Sequence, residues 1–339
     1  MFEVIAEINR ARIGKIKIGR KEIDTPAFLP VATKGCIKTL TPEEVKKIGI
    51  KAIIVNALHL YRRAMPLVEK VGIHNFMKWN GIIFSDSGGF QSIKRFPAKV
   101  TDEGIVFKMP DGKNELFTPE KCIEVQRKIG SDFMFCLDDC PAYPYSRKRV
   151  KKAVERTIEW AQKCQGENVF AILQGGIYDD LRKECIKKIS HLEFYGFAIG
   201  GLSIGEKRGE MLKIVDLTTK MLPVEKPRHL MGVGSPEDII DCVKYGVDIF
   251  DSAFPTRNAR HGTIFTSSGK INLGKKKVEG DEIDKECKCY TCKNFSLDYL
   301  NYLFKEKEQL AMRLATIHNL YFMQRFMEEV REKIEEGKI

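Results

Sequence analysis

One theme constrains this chain more than any other. A short run of β-branched, aromatic and small residues, apolar on both faces, is followed by polar or helix-patterned sequence, and the theme recurs at 27–31, 52–56, 81–85, 133–138, 169–173, 196–200, 228–232 and 247–251. Strands that are apolar on both faces belong in a parallel sheet covered on both sides. Helix start signals stand between many of the runs. Thr41-Pro42-Glu43-Glu44 supplies a capping residue, a proline at the first helical position and acids at the positive end of the helix dipole. Thr118-Pro119-Glu120 repeats that logic, and 147–164, 180–189, 205–221 and 236–245 read as further helices. Eight alternations predict an α/β fold, a (β/α)8 TIM barrel. A doubly wound open sheet shows the same alternation and stays open as the alternative.

Three segments depart from the rhythm. Residues 1–24 alternate through Phe2, Val4, Ala6 and Ile8, then Ile13, Ile16 and Ile18, as a small antiparallel sheet with turns near Asn9-Arg10 and Gly14 would. We expect this sheet to cap a barrel domain at 25–270. Within that domain, 92–117 carries strand-like stretches at 104–108 and 115–117 around Pro110-Asp111-Gly112, an inserted hairpin. Residues 271–339 hold a cysteine cluster and, from Leu310 towards Glu336, a long amphipathic helix with Gly337 as its stop.

Apolar residues at 43% exclude a disordered chain, and no apolar run approaches the roughly 18 to 20 residues that span a bilayer. The start, Met1-Phe2-Glu3-Val4-Ile5, lacks a basic stretch followed by an apolar one, so a cytoplasmic, reducing setting is expected for the ten cysteines. The net charge of +11 favours a polyanionic partner, with a lysine-rich solvated surface as the bland alternative.

Cys287-x-Cys289-x2-Cys292 with His318 on the long helix offers three thiolates and an imidazole, a closed tetrahedral set suited to one structural zinc per chain. Four protein ligands leave no open position for catalysis. His59, His74, His191, His229 and His261 show no ligand spacing and read as packing or surface residues.

In a barrel, chemistry sits at the C-terminal ends of the strands. Those ends read Asp86-Ser-Gly-Gly-Phe-Gln91, Asp138-Asp139-Cys140, Gln174-Gly-Gly176, Gly200-Gly-Leu-Ser203, Met231-Gly-Val-Gly234 and Asp251. Any one Asp there could be a helix cap. Together, several carboxylates suit chemistry at an anomeric carbon, one attacking the sugar and another moving a proton. Phe90 and Met231 offer faces for a planar ligand. Asp138 and Gln174 suit the edge of a purine, and Gly200 and Gly201 expose backbone groups to it. Beyond the last strand, Arg257 and Arg260 stand three apart, with Lys275, Lys276 and Lys277 further on, a candidate phosphate-contact strip.

These motifs, with Phe250-Asp-Ser-Ala-Phe-Pro-Thr-Arg-Asn-Ala-Arg-His-Gly262 and Gly200-Gly-Leu-Ser-Ile-Gly-Glu206, resemble the tRNA-guanine transglycosylases of the queuosine pathway, over roughly 2–327 and in the family's order. The resemblance implies a barrel with a zinc-bearing insertion. It implies exchange of guanine at the wobble position of tRNAs with a G-U-N anticodon (those for Asp, Asn, His and Tyr) for a free 7-deazaguanine base, with the target base flipped out. It casts Asp251 as the nucleophile at C1′ and Asp86 as the general acid/base. Phe90 and Met231 become the sandwich; Asp138, Gln174, Gly201 and the Leu202 backbone become the edge readers. Arg257 and Arg260 would recognise the flanking uridines. No diffusible cofactor is implied, and a homodimer is. Ile204, where eukaryotic members have glycine, and Cys140 follow the bacterial pattern, so 7-aminomethyl-7-deazaguanine is the expected incoming base and queuine the alternative. Glu206 could offer charge to the aminomethyl group. The 56–65 stretch, with Asn56-Ala-Leu-His-Leu-Tyr61, departs from the family's usual sequence. A catalytically silent, zinc-stapled tRNA-binding protein and a barrel hydrolase of small nucleosides are the competing readings.

Overall fold

Alternation near the start produces what it predicts. β1 (Phe2–Ile8), β2 (Ala11–Ile18) and β3 (Lys21–Thr25) pair antiparallel in order. The computed structural model describes residues 1–89, 98–275 and 278–339. The first turn is at Asn9-Arg10, both with positive φ, but the second is at Gly19-Arg20 and not at Gly14. Gly14 lies inside β2 opposite Val4, where a Cβ would come within 2.8 Å of the Glu3 carbonyl and the Phe2 ring. Its glycine answers close approach, not chain reversal.

The eight apolar runs become one eight-stranded parallel sheet: β4 (Ala27–Pro30), β5 (Ala52–Asn56), β6 (Ile82–Asp86), β10 (Phe133–Phe135), β11 (Gly166–Leu173), β12 (Phe194–Ile199), β13 (Arg228–Leu230) and β14 (Ile249–Ser252). Its order is β4-β14-β13-β12-β11-β10-β6-β5. A parallel bridge between Val31 and Ile54, with Ala32 N–H donating to the Ile54 carbonyl at 2.7 Å, joins the two ends. That closure makes a barrel and excludes the open sheet. The interior is filled by Leu29, Ile54, Phe84, Phe133, Phe135, Phe170, Ile172 and Ile249, and Ile16 and Ile23 of the N-terminal sheet join them. That sheet therefore plugs the barrel at the ends of the strands where they begin. Arg12 crosses the junction to the buried Asp248 carboxylate, which also accepts from Arg228 N–H at 2.7 Å.

The signalled helices form. Thr41 and Glu44 make a reciprocal capping box on helix Pro42–Lys47, and Thr118 caps Pro119–Ile129 by accepting from Lys121 N–H. The inserted hairpin gains a third strand: β7 (Ala98–Val100), β8 (Ile105–Lys108) and β9 (Asn114–Phe117) form one antiparallel sheet. Ala98-Lys99-Val100 is too short to show a period in the sequence.

After β14 the chain makes the short helix Phe254–Arg260, the hairpin of β15 (Thr263–Thr266) and β16 (Gly269–Asn272), the cysteine loop and two short helices. Only then does Gln309–Glu335 supply the helix that covers the barrel wall. Its Ile317 and Leu320 pack with Ile37, Leu40 and Val45, and its Met323, Met327 and Val330 with Ala11, Phe28 and Val243. Gly337 follows with φ +67°, ending the helix in the left-handed conformation. Among the described residues no helix is long and apolar enough to cross a membrane.

Candidate active site

Register places the candidate residues at one mouth of the barrel. Leu173 pairs with Ile199, Ile199 with Leu230 and Leu230 with Phe250. The next residue on each strand therefore shares one ring, and those residues are Gln174, Gly200, Met231 and Asp251. Asp86 ends β6 opposite Asn56 of β5. Around the barrel, β6 and β14 are three strands apart one way and five the other, so their carboxylates rise on facing sides of the mouth.

Asp86 accepts from the Asn56 side-chain amide at 3.1 Å, and the same Asn56 caps the helix Ala57–Val71 through His59 N–H. Gly88, with φ +86°, sits where a Cβ would collide with Leu58. Asp251 accepts from His229 Nε2 at 2.8 Å and from Gly232 N–H at 3.4 Å, both at the same oxygen, Oδ1. His229 is fully buried, enclosed by Phe84, Phe135 and Phe170.

Asp138 is buried and accepts from the Gln174 amide at 2.7 Å. Burial pushes its carboxyl up to about 7, the Gln174 bond pulls it back, and the charges of Asp86 and Asp139 push it further up. The neighbouring Asp139 is spent elsewhere, on Arg149 and Arg156. A Cβ on Gly201, whose φ is +70°, would fall 2.4 Å from Gln174 Oε1. The amide of Gln174 thus lies flat against the Gly200-Gly201 backbone, and only glycines permit it. Cys140 is buried beside Asp138, and burial raises its thiol.

Ser203, Ile204 and Gly205 form a loop whose backbone N–H groups all donate to Glu206, at 3.0 Å from Ile204 and 3.2 Å from Gly205. Glu206 is accordingly the organiser of that loop. Leu202 is buried, while Ile204 and Met231 are half-buried. Sequence reading misses the part played by two buried residues, Arg182, which it does not single out, and His229, which it takes for a packing or surface residue. Arg182 donates to the carbonyls of Leu173, Gly176 and Gly200, pinning the ends of β11 and β12; burial lowers its guanidinium to about 10. The signal available was an arginine on the apolar face of Asp179–Ile189, beside Leu181, Cys185 and Ile186. His229 is the other, and its signal was a histidine inside the apolar run of β13.

Arg257 and Arg260 both lie on Phe254–Arg260, directly after the Asp251 strand. Arg257 is exposed; Arg260 is half-buried and donates to the Thr256 carbonyl at 2.7 Å. Lys275 is exposed. Phe90, Lys276 and Lys277 lie outside the described residues.

In the C-terminal segment, ligand atoms of Cys287, Cys289, Cys292 and His318 all lie within 4.8 Å of one another, a group that can hold a metal ion. His318 presents Nδ1 to the sulfurs, 3.1 Å from Cys292 Sγ, and donates from Nε2 to the Phe265 carbonyl. That outer bond fixes the tautomer a metal ligand needs.

The family model described as queuine tRNA-ribosyltransferase matches residues 7–339. A protein named queuine tRNA-ribosyltransferase from Thermoanaerobacter pseudethanolicus is 47% identical over 342 residues, covering 97% of this chain and 91% of its own. Proteins of the same name from Halothermothrix orenii and Francisella tularensis subsp. novicida are 43% and 44% identical, covering 98% and 99% of this chain and 93% and 95% of their own. With a match over nearly its full length and relatives this similar, the chain belongs to the queuine tRNA-ribosyltransferase family.

Proposed function

We propose that this protein is a tRNA-guanine transglycosylase, a pentosyltransferase that exchanges guanine at the wobble position of G-U-N anticodon tRNAs for 7-aminomethyl-7-deazaguanine in queuosine synthesis. The observation that carries this reading is the ring at the barrel mouth. Two carboxylates rise from facing strands, and a buried Asp138–Gln174 pair lies against glycine backbone between them.

In the first step a carboxylate oxygen of Asp251 bonds to C1′ as the C1′–N9 bond breaks; the bonding pair leaves with guanine, which takes a proton from Asp86. In the second, Asp86 removes the N9 proton of the incoming base, N9 attacks C1′, and the Asp251–C1′ bond breaks. Two displacements give net retention. Ionised Asp138 accepts from the N1–H and amino donors of a guanine-type edge. Phe90 and Met231 sandwich the base. The Glu206-held loop sets the backbone around Leu202 and Ile204 that meets the 7-substituent, so Glu206 acts on that group through the loop. Ile204 narrows the space that queuine would need, and queuine is the alternative incoming base. Arg257, Arg260 and the 275–277 lysines contact RNA. A homodimer and a cytoplasmic setting belong to the same reading.

The Cys287, Cys289, Cys292 and His318 donor set fits zinc, borderline-soft and tetrahedral. Bound there, it would staple the 287–292 loop to the long helix and supply no chemistry to the reaction.

Radiolabelled guanine incorporation into unmodified G-U-N tRNA tests the reading. Asp251→Ala should abolish exchange and the denaturant-resistant tRNA adduct, while tRNA binding survives. Exchange at the wild-type rate would refute the assignment, and tRNA binding with no exchange by the wild type would favour the silent RNA-binding alternative. Competition between the two bases on one tRNA decides the incoming base.

A further inference from the structure

Resting on the assignment of Asp251 as nucleophile, we infer that His229 is a positioning residue that holds Asp251 Oδ1 and so makes Oδ2 the oxygen that attacks C1′. His229 Nε2 lies 2.8 Å from Oδ1 and Gly232 N–H lies 3.4 Å from the same atom. No hydrogen bond to Oδ2 is formed among the described residues. His229 itself is fully buried, and among the described residues its Nδ1 has no hydrogen-bond partner. A buried imidazole with one nitrogen facing a carboxylate and the other facing none carries its proton on the first. The ring is an Nε2–H donor aimed at a single carboxylate oxygen.

The surroundings hold the imidazole in that orientation. The Phe135 centroid lies 5.1 Å from the imidazole at an interplanar angle of 77°, and Phe84 and Phe170 both lie 6.4 Å away, at 82° and 86°. Three edge-on rings enclose it. A buried polar group with one unsatisfied nitrogen lowers stability relative to an apolar ring of similar size, so the histidine is there for its other nitrogen. The carboxylate gains a fixed plane. Of its two oxygens, the one carrying two donors is the poorer nucleophile, since its lone pairs are engaged. As Oδ2 bonds to C1′ and the C1′–N9 pair leaves with the protonated guanine, Oδ1 becomes the ester carbonyl and keeps the His229 hydrogen bond. When the incoming base displaces Oδ2, the carboxylate returns to the same plane.

The test compares His229→Phe, which fills the aromatic cage without a donor, with His229→Gln, whose amide nitrogen reaches about as far as Nε2. His229→Phe should lower kcat about 10- to 100-fold, the scale for a misplaced reacting group. KM for tRNA should stay unchanged, and adduct formation in a single turnover should slow by the same factor. His229→Gln should recover most of the rate. Thermal melts of both variants guard against misfolding; His229→Phe should melt no lower than wild type. Wild-type kcat in a folded His229→Phe overturns the inference, as does a loss confined to KM or no better rate in His229→Gln. An active Asp251→Ala would instead overturn the nucleophile assignment itself, so the two failures are distinguishable.

Discussion

At the scale of single residues, the mouth of the barrel is controlled by which carboxylates are allowed to ionise. Asp139 is paired with two arginines, whereas the partner of Asp138 is a neutral amide, Gln174, and Asp138 lies buried. Burial therefore wins, and its carboxyl stays protonated up to about 7, against about 4 for an ordinary aspartate. The folded chain then holds a proton between about pH 4 and 7 that the unfolded chain releases, so stability falls as pH rises through that window, by at most about 1.4 kcal/mol per unit. Urea unfolding of the ligand-free protein should show this decline between pH 5 and 7, and Asp138→Asn should flatten it. Identical pH dependence in the two proteins would show that Asp138 is not the group responsible. A guanine-type edge needs the ionised form, so KM for guanine should fall as pH rises from about 6 to 8, and this too should vanish in Asp138→Asn. The residues of this ring were legible in the sequence because a barrel strand's end is a readable address. His229 and Arg182 were not, because what they touch is set by the barrel's cross-section and not by any spacing along the chain.

At the scale of elements, the sequence showed most of what has a period or a cap and little of what has neither. The barrel strands and the Thr-Pro-Glu helices are of the first kind. β7, the helix Ala57–Val71 with Pro66 in its interior and the misplaced second turn of the N-terminal sheet are of the second. The most consequential element is the long helix Gln309–Glu335, because two consecutive residues on it do separate jobs. His318 faces the sulfurs. Asn319, also buried, accepts from Phe265 N–H at 3.0 Å and donates to the carbonyls of Thr263 at 2.9 Å and Pro255 at 3.1 Å. It ties the helix after β14 and the β15–β16 hairpin to the barrel wall. Asn319→Ala strands three backbone groups and should cost roughly 3 kcal/mol in chemical denaturation, with metal content unchanged at one ion per chain. His318→Ala should leave elemental analysis reading far less than one metal ion per chain, and chelation of the wild type should reproduce its lowered melting temperature. Equal metal loss in both variants would mean that the two residues act as one unit.

At the scale of the whole molecule, the barrel separates stability from chemistry by putting them at opposite ends. The mouth carries buried and half-buried acids, loops and glycines; the far end is closed by the N-terminal sheet through Ile16, Ile23 and the Arg12–Asp248 pair, with both side chains almost wholly buried, at 1% and 0% exposure. Burial raises the Asp248 carboxyl and Arg12 works against that rise. Such a contact, between residues 236 apart in the chain, has no signature in a sequence read locally. Breaking one partner strands a buried charge, so Asp248→Ala should lose about 3 to 5 kcal/mol in urea unfolding. Replacing both, as in Arg12→Met with Asp248→Leu, should lose much less, since neither charge is then left alone. Because β13 and β14 remain paired through His229–Ile249 and Leu230–Phe250, the ring above them keeps its register. Guanine exchange per folded molecule at a permissive temperature should therefore match wild type in both variants, the inverse of Asp251→Ala, which should fold and exchange nothing. A fall in kcat for folded Asp248→Ala would show that the two ends are coupled through β13, and the separation argued here would have to be given up.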